Sequence, residues 1–122
     1  MAIDPRVEIG HVHLKVADID RALEFWSGVL GFELQQRMGD QAAFVSAGGY
    51  HHHLGLNTWH SSGAPPHPAG SLGLRHFTVR LPGQSELERV ADQVRAANMA
   101  VEQVGDGWQT RDPSGNALLM RA

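Results

Sequence analysis

Residues 10–34 read GHVHLKVADIDRALEFWSGVLGFEL, and this stretch predicts a strand followed by a helix. Its first residues alternate between polar and apolar, with Val12, Leu14 and Val16 on the apolar side, as in a strand with one buried face. Asp18 then offers an N-cap, and Gly31 supplies the left-handed residue that ends a helix. Between them, apolar residues follow the 3.6-residue period of a helix: Ile19, Ala22, Leu23, Trp26 and Leu30.

Three short strands are predicted to follow this helix, at residues 32–38, 42–47 and 50–58. Gly39-Asp40 and Gly48-Gly49 separate them and suit tight hairpin turns. The first half of the chain is therefore predicted to have the order βαβββ.

The same pattern begins again 65 residues later, at residues 74–81, where His76 occupies the position of His11. Ser85 and Glu88 form a capping-box pair before a second amphipathic helix, and Asn98 matches the helix-ending Gly31. Strands are predicted at residues 101–104, 108–111 and 116–121, with DPSGN (112–116) as a turn. The second half is also βαβββ, and such an internal repeat predicts two half-sheets related by pseudo-symmetry.

A chain of 122 residues, 42% hydrophobic, is predicted to form one α+β domain. Module one is placed at about 7–58, the linker at about 59–72 and module two at about 73–122. The two modules are expected to form a half-open, barrel-like sheet around a cleft, with the helices outside against the apolar faces. Six polar residues would then face the cleft: His11, His13, Lys15, His76, Thr78 and Arg80.

Composition excludes several classes of partner and site. The net charge of -3 argues against a nucleic-acid backbone or an anionic membrane as the binding partner. The absence of cysteine excludes disulfides and thiolate metal sites, so any metal takes nitrogen or oxygen ligands. No signal-like or membrane-spanning stretch is evident, and a cytoplasmic location is predicted.

Three stretches resemble the vicinal oxygen chelate superfamily, which contains glyoxalase I, extradiol dioxygenases and bleomycin-resistance proteins. They are residues 10–34, RHFTVRL (75–81) and the DPSGN turn with the last strand. GGYHHHLGLNTW (48–59) and GAPP (63–66) are most similar to a module of catechol-2,3-dioxygenase-like proteins. Those proteins often carry two pairs of modules, and this chain has one pair.

The resemblance implies metal ligands at His11, His53 and His76, with Leu119 at the position where the family usually has Glu. Leu119 cannot bind metal, so the pattern of two histidines and one carboxylate is not reproduced. His51 shares the predicted strand parity of His53 and is its alternative, whereas His52 is expected to point the other way. Three imidazoles would hold a divalent Fe, Mn, Zn, Ni or Co ion, and a metal-free protein is the alternative.

The remaining predicted site residues surround this position. His13 is the candidate acid or base. The expected substrate-binding residues are Tyr50, Asn57, Trp59, Thr78, Arg80 and Trp108, of which the aromatic ones can equally fill core. Two functions stay open: a metal-dependent, dioxygenase-like enzyme acting on a small molecule with vicinal oxygens, or a non-catalytic binding protein of the bleomycin-resistance type. A homodimer is expected because half-sheets expose strand edges.

Overall fold

The computed structural model describes residue 5 and residues 10–66, 68 and 70–122. The predicted start of module one at residue 7 and positions 67 and 69 of the linker lie outside them. In chain order the structure contains β1 (Val12–Lys15), α1 (Ile19–Leu23) with a π-helical continuation (Glu24–Val29), β2 (Glu33–Met38), β3 (Ala42–Ser46), β4 (Leu54–Asn57), β5 (Phe77–Arg80), α2 (Gln84–Ala96), β6 (Val101–Val104), β7 (Gly107–Arg111) and β8 (Ala117–Arg121).

The strands form two four-stranded sheets of the same topology, β1-β4-β3-β2 and β5-β8-β7-β6. In each sheet the first and last strands of the module pair in parallel, and the other neighbours pair antiparallel. Among the described residues the two sheets do not close into a barrel, and β1 and β5 each stand at a sheet edge. The predicted α+β fold of two βαβββ modules is confirmed.

The helices cover the apolar face of each sheet, as the strand alternation predicts. Leu14 and Val16 are buried with Ile19 and Trp26 of the first helix, and on the second sheet Leu118 is buried with residues of α2. These side chains belong to one continuous core rather than two. The Trp26 indole, fully buried, stacks on the Phe77 ring at a centroid distance of 5.9 Å and so connects the modules.

The DPSGN turn ties module two to module one. Buried Asp112 accepts hydrogen bonds from the Trp26 Nε1–H at 3.1 Å and from the Ser114 and Asn116 backbone N–H groups. Ser114 Oγ accepts from the Ala17 N–H, and Asn116 Nδ2 donates to the Lys15 carbonyl. The DPSGN segment is therefore a turn, as predicted, and it also holds the two modules together by hydrogen bonds.

The helix ends follow the sequence at three positions and differ at one. Asp18 caps α1 by accepting from the Arg21 N–H, while Gly31 and Asn98 adopt positive φ angles of 91° and 58°. The prediction of a capping box at Ser85 and Glu88 is wrong, because α2 begins at Gln84 after Gly83 and has no side-chain cap. Gly83 has a φ of 131°, which turns the chain into the helix before Ser85 is reached.

The helices are too short or too polar for a transmembrane segment in the part of the chain that the structure describes.

Candidate functional site

The segment before β4 departs from the predicted strand. Pairing is observed from Leu54, and residues 51–53 lie in bends and irregular backbone, although the His53 backbone still bonds to Val12 and Val45. Strand alternation therefore does not fix the side chains of His51 and His52. The expectation that His52 points away is wrong, since its ring lies 4.5 Å from that of His11 and 5.6 Å from that of His13.

His13 lies across a glycine on the neighbouring strand. In the parallel register of β1 and β4, His13 is opposite Gly55. A Cβ atom at Gly55 would stand 2.6 Å from His13 Nδ1, a distance that real Cβ atoms do not tolerate. Any larger residue at position 55 would displace the ring, so Gly55 makes room for His13 beside His11, whose ring centroid is 4.8 Å away.

His11, His13 and His52, here called the histidine cluster, bring one ring nitrogen each within 4.8 Å of one another. His11 and His13 are exposed, and His52 is half-buried. The His52 Nε2 atom is buried and has no hydrogen-bond partner among the described residues. Three imidazoles at this spacing, one with an unused buried nitrogen, fit a divalent metal ion.

His51 and Phe44 hold the His52 ring. His51 Nδ1 and His52 Nδ1 are 3.0 Å apart, a hydrogen bond whose direction depends on which ring carries the proton. The Phe44 ring meets His52 edge-on at 5.0 Å. Burial lowers the pKa of His52, and the neighbouring imidazoles of His11, His51, His13 and His53 lower it further, which favours the neutral ring that metal binding requires.

A cavity of about 500 Å³ lies between β1 and β5 and receives side chains from both modules. His11 and His53 line it from module one, and Thr78 and Arg80 line it from module two. His76 is exposed and directly precedes Phe77, another lining residue. The cavity therefore has His11 of the histidine cluster on one side, and the Arg80 guanidinium and the Thr78 hydroxyl group on the other.

His53 is engaged on its Nδ1 atom. That nitrogen accepts a hydrogen bond from the Ala47 N–H at 3.1 Å, and the ring stacks on Tyr50 at 4.7 Å. A neutral imidazole that accepts on Nδ1 carries its proton on Nε2. In this conformation the lone pair of a neutral His53 ring is engaged, and its remaining ring nitrogen is an N–H donor.

The other predicted substrate residues lie at different depths. Tyr50 lies at 4.0 Å from the His51 ring in a tilted arrangement, besides stacking on His53, and Asn57 ends β4. Trp59 is 55% exposed. Trp108 packs against the core beneath the Arg95 guanidinium at 4.5 Å, which places it on the helix-covered side of its sheet and away from Thr78.

Leu119 lies at the position where the resemblance leads one to expect a carboxylate. It is paired with Thr78 across β5 and β8 and is 6% exposed. Its side chain has no lone pair to offer, so the four-residue ligand set implied by the resemblance is incomplete. Among the described residues, the histidines grouped closely enough to share an ion are His11, His13 and His52.

Comparison with known proteins identifies the family of this chain and a relative of similar sequence. Residues 8–120 match the Glyoxalase/Bleomycin resistance protein/Dioxygenase superfamily, and the chain belongs to this superfamily. Over 112 residues it is 45% identical to the catechol-2,3-dioxygenase of Bacillus subtilis (strain 168). That alignment covers 91% of this chain but 39% of the relative, so the chain spans about two fifths of that protein's length.

Solved structures share the fold at low sequence identity. The lactoylglutathione lyase from Agrobacterium tumefaciens has a TM-score of 0.74 at 22% identity, covering 98% of this chain and 96% of that chain. A putative glyoxalase from Bacillus halodurans has a TM-score of 0.75 at 14% identity, covering 96% of this chain and 97% of that one. These similarities establish the fold of both modules.

The metal-free protein is expected to lose stability as the pH falls below the ordinary imidazole value of 6.5. The pKa of His52 is lowered in the folded state, so the unfolded chain binds a proton that the folded chain resists. The contribution is fully present above pH 6.5 and is lost as the pH falls towards the lowered pKa. Urea unfolding at about pH 7.5 and about pH 5.5 measures it. A His52→Phe variant with the same pH dependence as the parent would contradict this assignment.

Proposed function

We propose that this chain is a metal-dependent, dioxygenase-like enzyme that binds a small molecule with two adjacent oxygens. The observation that carries the proposal is the position of His11, which belongs to both the histidine cluster and the cavity between the modules. Identity of 45% to a catechol-2,3-dioxygenase supports the substrate class. Cytoplasmic location and a homodimer remain predictions from the sequence.

A bound divalent ion would supply a Lewis acid for the negative charge of a catecholate or enediolate. His11 is common to both candidate ligand sets. The resemblance proposes His53 and His76 as its partners, with His13 as acid or base. The contacts within module one favour His13 and His52 instead, and His13 is then a ligand.

The cavity walls supply the recognition of the substrate. Arg80 provides a charged donor for a substrate oxygen, and Thr78 provides a hydroxyl group on the same strand. The His53 Nε2–H faces a substrate as a donor in the tautomer set by Ala47. Phe32 and Val12 line the apolar part of the cavity, which suits an aromatic ring.

The proposal is tested with protein purified without a tag. Metal content is measured first, and the protein is then supplied with Fe(II) or Mn(II), catechol and oxygen. We expect oxygen uptake together with a ring-cleavage absorbance.

Arg80→Ala should weaken catechol binding about tenfold, the effect of roughly one charged hydrogen bond. Arg21→Ala, on the exposed surface of α1, is the matched control. Metal-loaded protein that binds catechol without consuming oxygen would rule out the enzyme.

Leu119→Glu is expected to tighten Fe(II) or Mn(II) binding if the resemblance ligand set is correct. A carboxylate there would join His11, His53 and His76 and supply the missing oxygen ligand that, with two of the histidines, makes the two-histidine, one-carboxylate arrangement suited to these ions. Because Leu119 is buried, the metal-free variant should lose about 2 kcal/mol of stability. Titration with Mn(II) and thermal unfolding measure the two effects. Unchanged Mn(II) affinity in a folded variant would argue against the resemblance set.

Leu119 also favours a second candidate function, non-catalytic binding of a small molecule as in bleomycin-resistance proteins. The position that usually carries a metal ligand in the family is apolar and buried here. Ligand binding that is equal with and without added metal would support this candidate over the enzyme.

A further inference from the structure

We infer that His11, His13 and His52 form a divalent-metal site and that His51 positions His52 within it. The site differs from the ligand set that the resemblance implies, with which it shares His11. It would supply the metal of the proposed function but does not depend on turnover, since metal binding is measured without substrate.

The distances allow one ion to reach all three rings. The three ring nitrogens lie within 4.8 Å of one another. Zn–N bonds of about 2.0–2.1 Å place two ligand nitrogens of a tetrahedral ion about 3.3 Å apart. The widest pair therefore has to approach by about 1.5 Å, which small rotations of exposed imidazoles can provide. His11 and His13 are both exposed and adjacent to solvent.

The contact between His51 and His52 accounts for a free lone pair on His52 Nε2. If His52 donates its Nδ1–H to His51 Nδ1, the lone pair of the neutral His52 ring lies on Nε2. That Nε2 atom is the buried one without a partner in the described part of the chain. In metal sites, a neighbouring acceptor for the other ring N–H usually fixes the tautomer of a ligating histidine. His51 takes this role.

Two further residues keep the rings in place. Gly55 leaves the space that the His13 ring occupies, since a Cβ would stand 2.6 Å from its Nδ1. Phe44, opposite Gly55 in the β3–β4 register, packs against His52 at 5.0 Å. Thus strands β1, β3 and β4 all contribute to the support of the cluster, and the site is built on paired backbone rather than on loops alone.

The ligand chemistry favours ions that prefer imidazole. Three neutral imidazoles leave a bound divalent ion with its full charge and with open positions. Zn(II) and Co(II) suit such a set better than Mg(II) or Ca(II), which prefer oxygen ligands. The site is therefore assigned to a divalent transition metal that accepts imidazole ligands, a class that includes Fe(II), and Zn(II) and Co(II) serve as the probes of binding.

The test uses the full chain, stripped with a chelator and titrated with Zn(II) by calorimetry and with Co(II) by visible absorption. His52→Ala and His13→Asn should each weaken Zn(II) binding at least tenfold. His51→Phe and Gly55→Ala should weaken it about 10-fold to 100-fold, the effect expected when support around a ligand is lost. His53→Ala and His76→Ala test the resemblance set and should stay within about twofold of the parent, and His60→Ala, at an exposed histidine outside both sets, is the control. Circular dichroism checks the fold of each variant.

Three outcomes would overturn the inference. One is loss of Zn(II) binding in His53→Ala and His76→Ala with parental affinity in His52→Ala, which would select the resemblance set. The second is parental affinity in every folded variant, and the third is no saturable Zn(II) binding by the parent protein. Zn(II) binding at the cluster, together with no oxygen uptake on catechol by the protein loaded with Fe(II) or Mn(II), would instead reject the proposed function and leave the site intact. If His52→Ala does not fold, His13→Asn and His51→Phe still decide the matter.

Discussion

Trp26→Ala is expected to lower the free energy of unfolding by about 4 kcal/mol. Trp26 has no exposed surface and packs edge-on against Phe25 at 5.0 Å and in a stack on Phe77 at 5.9 Å. Alanine would leave a cavity at the junction of the modules and would also remove the Nε1–H that bonds to Asp112. Urea unfolding followed by circular dichroism measures the loss.

The control is Trp59→Ala. Trp59 is 55% exposed, so its truncation should change stability by less than about 0.5 kcal/mol. Comparable losses in the two variants would mean that Trp26 does not hold the modules together. Trp26→Phe separates the two contributions, because it keeps most of the apolar volume and deletes the hydrogen bond.

Asp112→Ala is expected to cost about 3 kcal/mol of stability. The Asp112 carboxylate is 4% exposed and accepts from Trp26 Nε1 and from Ser114 N, Asn116 N and Asn116 Nδ2. Alanine would leave the buried Trp26 N–H and the backbone N–H groups of Ser114 and Asn116 without this acceptor, and would loosen the turn that bonds to Ala17 and Lys15. The melting temperature should fall by about 10 °C for a domain of this size.

Asp106→Ala is the matched control, because Asp106 also lies in a turn but is exposed. It should leave the melting temperature nearly unchanged. Since Trp26 and Asp112 are in contact, their effects should not add in the double variant. Strict additivity of Trp26→Phe and Asp112→Ala would contradict a shared hydrogen bond.

The sequence predicted the secondary structure well where a local rule governs it. Asp18 caps α1, and Gly31 and Asn98 end the two helices, because capping and left-handed backbone depend on a few neighbouring residues. Alternation in the first strand also assigned Leu14 and Val16 to the helix-covered side. The failures occurred at Ser85, where Gly83, two residues earlier, already precedes the helix start at Gln84, and at residues 51–53.

The candidate site was only partly predictable, because local sequence rules place only some of its residues. His11 was identified from the repeat, and His11 and His53 do line one cavity with Thr78 and Arg80. His52 was assigned to the opposite face because a strand was assumed to run through residues 50–58. Because the strand begins only at Leu54, alternation does not determine the direction of the His52 side chain. Packing against Phe44 and His13 sets its position.

The amino-acid sequence by itself determined the two βαβββ modules, the start of α1, the ends of both helices and which strand residues face the helices, because periodicity and turn chemistry are local properties. The tertiary structure alone decided three long-range features: the bonds from Trp26 and Lys15 to the DPSGN turn, the place of His13 over Gly55, and the meeting of His11, His13 and His52. Each depends on strand register or on the docking of two modules. Such contacts join residues distant in the chain, and no local pattern specifies them.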